Sequence, residues 1–111
     1  MYEVIATPAF KHCLHRLICF LGTKYSPRKA QAIKSEIKRK LATNLSENPY
    51  IAPISNRLIE LGIKDFRQYP VDEYNMVFYR INEDKKQLVL LAVMDGRQSI
   101  QKLLLEVMLL S

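Results

Sequence analysis

The sequence predicts an α+β fold: an N-terminal strand, an antiparallel helical hairpin, a three-stranded antiparallel meander that completes one sheet, and a C-terminal helix. Apolar residues recur every three or four positions in the first half of the chain, which indicates helices. From Ile63 to Met94 they recur every two positions, which indicates strands. With 49% apolar and 25% charged residues, the 111-residue chain has the composition of one globular domain over residues 1–111.

The first three elements have clear start signals. Tyr2–Ala6 is short and rich in residues that favour strands. Thr7-Pro8 and Ser26-Pro27 each place a capping side chain before a proline, the pair that favours the start of a helix. We therefore expect a first helix over 8–22, ending at a glycine, and a second over 27–46, joined by a short turn into a hairpin.

The second half predicts the rest of the sheet. After a loop at 48–56, the segments 63–69, 74–81 and 87–94 are candidate strands. Gln87–Met94 is apolar at nearly every position, as expected for a strand covered on both faces, so we place it centrally in the sheet. A final helix is expected over 98–110.

Positive charge is concentrated on the second helix. The net charge is +6, and the segment Lys24–Lys40 alone holds seven basic residues and one acid. We expect Lys34, Lys38, Arg39 and Lys40 to lie on the outer face of this helix, as candidate contacts with a target or with nucleic acid. A solvated helix face without a partner is the alternative.

Several classes of protein are excluded at this stage. No apolar run reaches the length of a membrane span, and no secretory signal is visible, so we expect a cytoplasmic protein with reduced, buried thiols at Cys13 and Cys19. Phosphate-binding loops, dinucleotide fingerprints and metal-ligand spacings are absent from the sequence. We therefore expect no metal and no small-molecule cofactor.

Strand geometry groups one set of polar residues. Arg67 and Tyr69 should project from the same sheet face, as should Asn75 on the adjacent strand, and Arg97 follows the central strand. Two arginines with a phenol and an amide suit a phosphodiester, although none of the four is a strong general base. The alternative is that the arginines form structural ion pairs with nearby aspartates.

The order of elements and several short segments resemble the RelE/ParE superfamily of toxins from bacterial type II toxin–antitoxin modules. The resemblance covers nearly the whole chain. It is carried by Glu47-Asn48-Pro49-Tyr50, Leu61-Gly62-Ile63-Lys64-Asp65-Phe66-Arg67, Tyr74-Asn75-Met76-Val77-Phe78-Tyr79-Arg80 and Leu91-Ala92-Val93-Met94-Asp95-Gly96-Arg97-Gln98.

The two branches of this superfamily imply different mechanisms. The resemblance to RelE-like members implies ribosome-dependent cleavage of mRNA by a basic cluster with a late tyrosine. Carried over by position, Arg67, Tyr69, Asn75 and Arg97 occupy four of these sites, and the tyrosine position falls near Leu103. Only two of the five positions remain basic, so this site lacks much of the charge that stabilises a transition state.

The long hairpin, the Asn48-Pro49-Tyr50 loop and the Asp95-Gly96-Arg97 segment look more like ParE members, which poison DNA gyrase and are not nucleases. This resemblance also implies a cognate acidic antitoxin. We expect Leu104, Leu105 and Leu109 of the apolar last helix to contact this antitoxin or another partner. A toxin fold retained as a non-toxic interaction module is a third reading.

Overall fold

In the computed structural model, which describes residues 2–96 and 99–108, four strands form one mixed sheet. The strands are β1 (Glu3–Ala6), β2 (Arg67–Pro70), β3 (Asn75–Asn82) and β4 (Gln87–Asp95), in the spatial order β1-β4-β3-β2. β2, β3 and β4 form the antiparallel meander, and β1 joins it parallel to β4. The predicted α+β class and the central position of β4 are therefore confirmed.

Helices α1 (Pro8–Lys24) and α2 (Pro27–Lys40) form the predicted hairpin, and α2 continues into a π-helical turn at Leu41–Leu45. Both helices begin as expected. Thr7 Oγ1 accepts a hydrogen bond from the Phe10 amide at 3.1 Å, and Ser26 Oγ accepts one from the Lys29 amide at 3.1 Å. Thr7 also donates to the Leu90 carbonyl at 2.7 Å, which fixes the start of α1 against the central strand.

The expected end of α1 at Gly22 is wrong, because the helix continues to Lys24. Gly22 lies within α1 where the two helices face each other, and a Cβ built on it would be 3.9 Å from the Ala30 Cβ, an ordinary van der Waals contact. The position therefore neither ends the helix nor requires a glycine for close packing. The chain turns at Tyr25, and Ser26 then caps α2.

The expected strand over 63–69 begins later, at Arg67. Gly62 and Asp65 have positive φ angles, of 81° and 71°, which are incompatible with a continuous extended strand. A short helix, α3 (Asn56–Glu60), occupies the segment just before them and was not predicted. Ser55 caps it by accepting from the Leu58 amide at 3.3 Å, and Leu58 is fully buried.

The hydrophobic core lies mainly between the hairpin and the sheet. Buried residues from both belong to one cluster, because the three-to-four spacing of α1 and α2 faces the two-residue spacing of β3 and β4. They include Phe10, Leu17, Leu21, Ile37, Leu45, Val77, Tyr79, Leu88, Leu90 and Val93. α4 (Ile100–Met108) adds Leu103 and Leu104 to the edge of this cluster. None of the described helices is long and apolar enough to cross a membrane.

Candidate functional site

The structure brings together two of the predicted polar residues, Arg67 and Tyr69. In the β2–β3 register Arg67 lies opposite Tyr79, and Tyr69 lies opposite Val77. Directly opposed residues of an antiparallel pair share a sheet face, so Arg67 and Tyr69 lie on one face as predicted, and Tyr79 lies on that face too.

Arg67 is used to hold the loop that follows the π-helical turn. Its Nη1 donates to the Ala52 carbonyl at 2.6 Å, and its guanidinium lies 5.0 Å from the centre of the Tyr50 ring. The side chain is half-buried. The sequence left open an ion pair between Arg67 and an aspartate. Among the described residues, the guanidinium instead contacts a carbonyl oxygen and an aromatic ring.

Tyr79 holds the same loop from inside. It is completely buried, and its hydroxyl donates to the Pro49 carbonyl. Burial raises the pKa of Tyr79 to about 12, so the phenol stays protonated and acts as a donor. Tyr69 is half-buried beside it and accepts a hydrogen bond from Asn44 Nδ2 at 3.1 Å.

Glu83, in the β3–β4 turn, gathers three donors from separate parts of the chain. Its carboxylate accepts from the hydroxyls of Tyr2 and Tyr50, and from Lys86 Nζ at 2.6 Å. The hydrogen bond from Lys86, followed by those from the two tyrosines, lowers the pKa of Glu83 to about 2. Such a carboxylate is a weak base near neutral pH. Together with Arg67 and Tyr79 these residues fasten the loop 49–52 across the end of the sheet. We call this set the loop clamp; its members are Tyr2, Tyr50, Arg67, Tyr79, Glu83 and Lys86.

Asn75 shares a strand face with these residues, but its side chain is bonded elsewhere. It lies two residues before Val77, the partner of Tyr69, so strand alternation places it on the predicted face. It is buried, and its Nδ2 donates to both oxygens of Asp72, at 3.1 and 2.9 Å. The Asn75 side chain therefore closes the β2–β3 turn, whereas Arg67 contacts the loop after the hairpin and Tyr69 contacts the π-helical turn.

Arg97, predicted for the phosphodiester site, and Leu109, predicted for partner contact, lie outside the described residues. On α4, Leu104 is half-buried and packs on the core, whereas Leu105 is 62% exposed. Leu103, at the position carried over for the late tyrosine, also packs on the core. Of the described leucines proposed for partner contact, Leu105 is therefore the accessible one.

The four basic residues of α2 do not form the single outer patch that was expected. Lys34 and Lys38 line the space between α1 and α2. Arg39 pairs with Glu36, Nη2 to Oε1 at 2.5 Å, and Lys40 donates to the Val71 carbonyl. Because each residue of an α-helix is turned about 100° from the one before, neighbouring cations point in different directions.

An apolar groove between the hairpin and β1 was not predicted. One cavity of about 210 Å³ and another of about 660 Å³ share Ala6, Lys11, Leu14 and Lys38, so they adjoin. We call this surface the helix groove. Its other lining residues are Val4, Phe10, His15, Ile18, Cys19, Gln31, Lys34, Ile37, Leu41, Ala42 and Leu90. The helical spacing of Leu14 and Ile18 was visible in the sequence, but it does not reveal that packing leaves them half-open.

The two cysteines differ in environment. Cys13 is buried as predicted, and burial raises the pKa of its thiol. Cys19 is exposed, which corrects the expectation for it, and its Sγ lies 3.6 Å from His15 Nε2. Within residues 2–96 and 99–108, no three His, Cys, Asp or Glu side chains are placed to hold a metal ion.

Comparison with known proteins relates this geometry to one family. A family model described as the ParE toxin of the type II toxin–antitoxin system matches residues 4–100. Among solved structures, the chain is similar to a chain of the RelBE2 toxin–antitoxin complex from Mycobacterium tuberculosis, at 21% identity and a TM-score of 0.56. The match covers 85% of this chain and 96% of that one, and at this identity it shows the fold alone. A search among curated proteins gave no match.

Proposed function

Because the chain belongs to the ParE toxin family of type II toxin–antitoxin systems, we propose that this toxin arrests growth by binding and poisoning DNA gyrase. A cognate antitoxin neutralises it. One observation carries the choice of gyrase over the ribosome. Arg67 occupies a position where RelE-like members place a basic residue, but here Ala52 and Tyr50 bind its guanidinium within the fold.

The acid–base chemistry of the loop clamp favours the same choice. RNA cleavage without a metal requires a general base and a general acid with pKa values near the working pH. Tyr79 has its pKa raised to about 12 and is buried, and Glu83 has its pKa lowered to about 2 by three donors. Neither is suited to transfer a proton at neutral pH, so both fit a structural role better.

The test is a cleavage assay with purified toxin, DNA gyrase, ATP and supercoiled plasmid. We expect protein-linked linear DNA after detergent and protease treatment, and none when the antitoxin is added first. Arg80→Ala, which removes an exposed arginine from β3, serves as a matched variant and should behave like the unmodified chain. A preparation that arrests growth without producing linear DNA overturns the proposal and makes ribosomal mRNA cleavage the leading account. A folded chain that never arrests growth indicates the non-toxic interaction module.

The helix groove is the surface we propose for the antitoxin. The cavity beside β1 is lined almost entirely by apolar atoms, and Lys11, Lys34 and Lys38 stand around the groove. β1 is an edge strand of the sheet. An acidic segment with an apolar face would bury its apolar side chains between α1 and α2 and place its carboxylates on the lysines. Exposed Leu105 on α4 is a second apolar contact for the same chain.

A further inference from the structure

The tip of the helical hairpin combines exposed aromatic rings with lysines. Phe20 and Tyr25 are 42% and 44% exposed, and they lie where α1 ends and the chain turns into α2. Lys24 and Lys29 are exposed on either side of the turn. A single exposed ring is ordinary, but neighbouring exposed rings at a turn form a patch, which is the informative observation.

These side chains form one continuous surface. Lys24 Nζ lies 5.7 Å from the centre of the Phe20 ring and 5.4 Å from that of Tyr25, and Lys29 Nζ lies 4.6 Å from the Tyr25 ring. Tyr74, which is 51% exposed, lines the same cavity of about 90 Å³ as Tyr25 and Lys29, and Asp72 and Asp95 line it as well. We call these five residues the hairpin tip. None of them lines the helix groove, so the two surfaces are separate.

We propose that the hairpin tip binds single-stranded nucleic acid. Aromatic rings stack on exposed bases. The lysine ammonium groups lie over the Phe20 and Tyr25 rings, so they would swing to the neighbouring phosphates when a base takes the ring face. The local charge supports this partner, because residues 24–29 hold three basic side chains and no acid. An acidic protein surface would match the lysines, but it would not need aromatic rings next to them.

If the toxin acts on gyrase, the hairpin tip would contact the DNA of the gyrase–DNA complex rather than the gyrase protein. That consequence rests on the function proposed above, because it supposes that the toxin meets strands opened within a gyrase–DNA complex. The binding itself does not depend on gyrase and can be measured with the full-length chain alone.

The experiment measures the fluorescence anisotropy of a labelled oligothymidine of about 20 nucleotides, a length that exceeds the roughly 4 to 16 nucleotides of a common single-strand site. Lys24→Gln with Lys29→Gln removes two cations from the tip, and Lys64→Gln with Lys85→Gln removes two exposed cations elsewhere. We expect the double variant at the tip to bind oligothymidine much more weakly, and the control double variant to bind like the unmodified chain. The tip variant should also reduce the slope of log affinity against log salt concentration by about 1.4, which is about 0.7 for each lost phosphate contact.

A second comparison tests the rings. Tyr25→Leu should weaken binding by about 5-fold to about 150-fold, the range measured for one stacked base, whereas Tyr25→Phe keeps the ring and should bind like the unmodified chain. Circular dichroism confirms that each variant is folded. The proposal is overturned if the double variant at the tip and the control double variant bind oligothymidine with equal affinity. The proposal is also overturned if polyglutamate binds with the same affinity as oligothymidine and the double variant at the tip weakens it equally. A third contradicting result is that duplex DNA binds as tightly as single-stranded DNA and its affinity is unchanged by Tyr25→Leu.

The gyrase assay separates this inference from the proposed function. If both are right, the tip variants yield less linear DNA but still bind antitoxin. Oligothymidine binding that depends on the tip, from a chain that yields no linear DNA, contradicts the gyrase proposal and leaves the tip proposal intact. Linear DNA from a chain whose tip variants bind oligothymidine like the control contradicts the tip proposal alone.

Discussion

The guanidinium of Arg67 lies over the ring of Tyr50, at 5.0 Å from its centre, and this contact joins the first residue of β2 to the loop that follows the helical hairpin. The Tyr50 hydroxyl in turn donates to Glu83 in the β3–β4 turn. One ring thus connects the start of β2 to the β3–β4 turn. Arg67, one of the positions that resemble an RNA-cleaving site in sequence, is therefore bound within the fold.

Arg67→Ala should destabilise the domain by about 2 kcal/mol, because it removes a charge-assisted hydrogen bond to the Ala52 carbonyl and the stack on Tyr50. Chemical denaturation of the variant, with Arg80→Ala as the exposed control, measures the loss. Below its melting temperature the variant should still poison gyrase. A fully stable Arg67→Ala that has lost toxicity would contradict the structural role and support catalysis.

Tyr79→Phe should cost about 1 to 3 kcal/mol, since it leaves the buried Pro49 carbonyl without its donor. Tyr69→Phe removes a hydroxyl from a half-buried ring on the same face and should change the free energy of unfolding by less than about 0.5 kcal/mol. Denaturant titration measures the free energy of unfolding of both variants. If the two variants lose the same amount, the Tyr79 hydrogen bond does not stabilise the fold more than the Tyr69 hydrogen bond.

Glu83→Gln should make the stability of the domain depend less on pH in the acid range. The pKa of Glu83 is lowered from 4.5 to about 2 in the folded chain, so its contribution is present above pH 4.5 and is lost as the pH falls towards 2. Melting temperatures between pH 6 and pH 2.5 should therefore fall less steeply for this variant. Glu60→Gln, which removes an exposed carboxylate from α3, is the control and should keep the steep profile.

Ala42→Glu should prevent neutralisation by the antitoxin. Ala42 is exposed and lines the apolar cavity of the helix groove, so a carboxylate there must lose water when an apolar segment docks. Ala32→Glu makes the same change at an exposed site on α2 outside the groove. Co-purification with the antitoxin and growth rescue are the measurements. If both variants bind the antitoxin like the unmodified chain, the antitoxin docks elsewhere.

Local signals predicted most of the fold. Thr7-Pro8 and Ser26-Pro27 begin their helices as expected, because a cap and a first-turn proline act within one helical turn. The apolar run at 87–94 identified the central strand, because β4 lies between β1 and β3 and all of its residues are buried or half-buried. The sequence missed α3 and the late start of β2, where Gly62 and Asp65 adopt positive φ angles within a segment whose apolar alternation resembles a strand.

Spacing along the chain is enough to predict the α+β class, the hairpin, the central strand and the common face of Arg67 and Tyr69. The contacts of these side chains depend on tertiary packing. Packing places Arg67 on Ala52 and Tyr50, bonds Asn75 to Asp72, and turns Lys34 and Lys38 towards a groove that no periodicity reveals. The physical reason is that a hydrogen bond or a cavity depends on residues distant in sequence, whose positions are fixed when helices and sheet pack together.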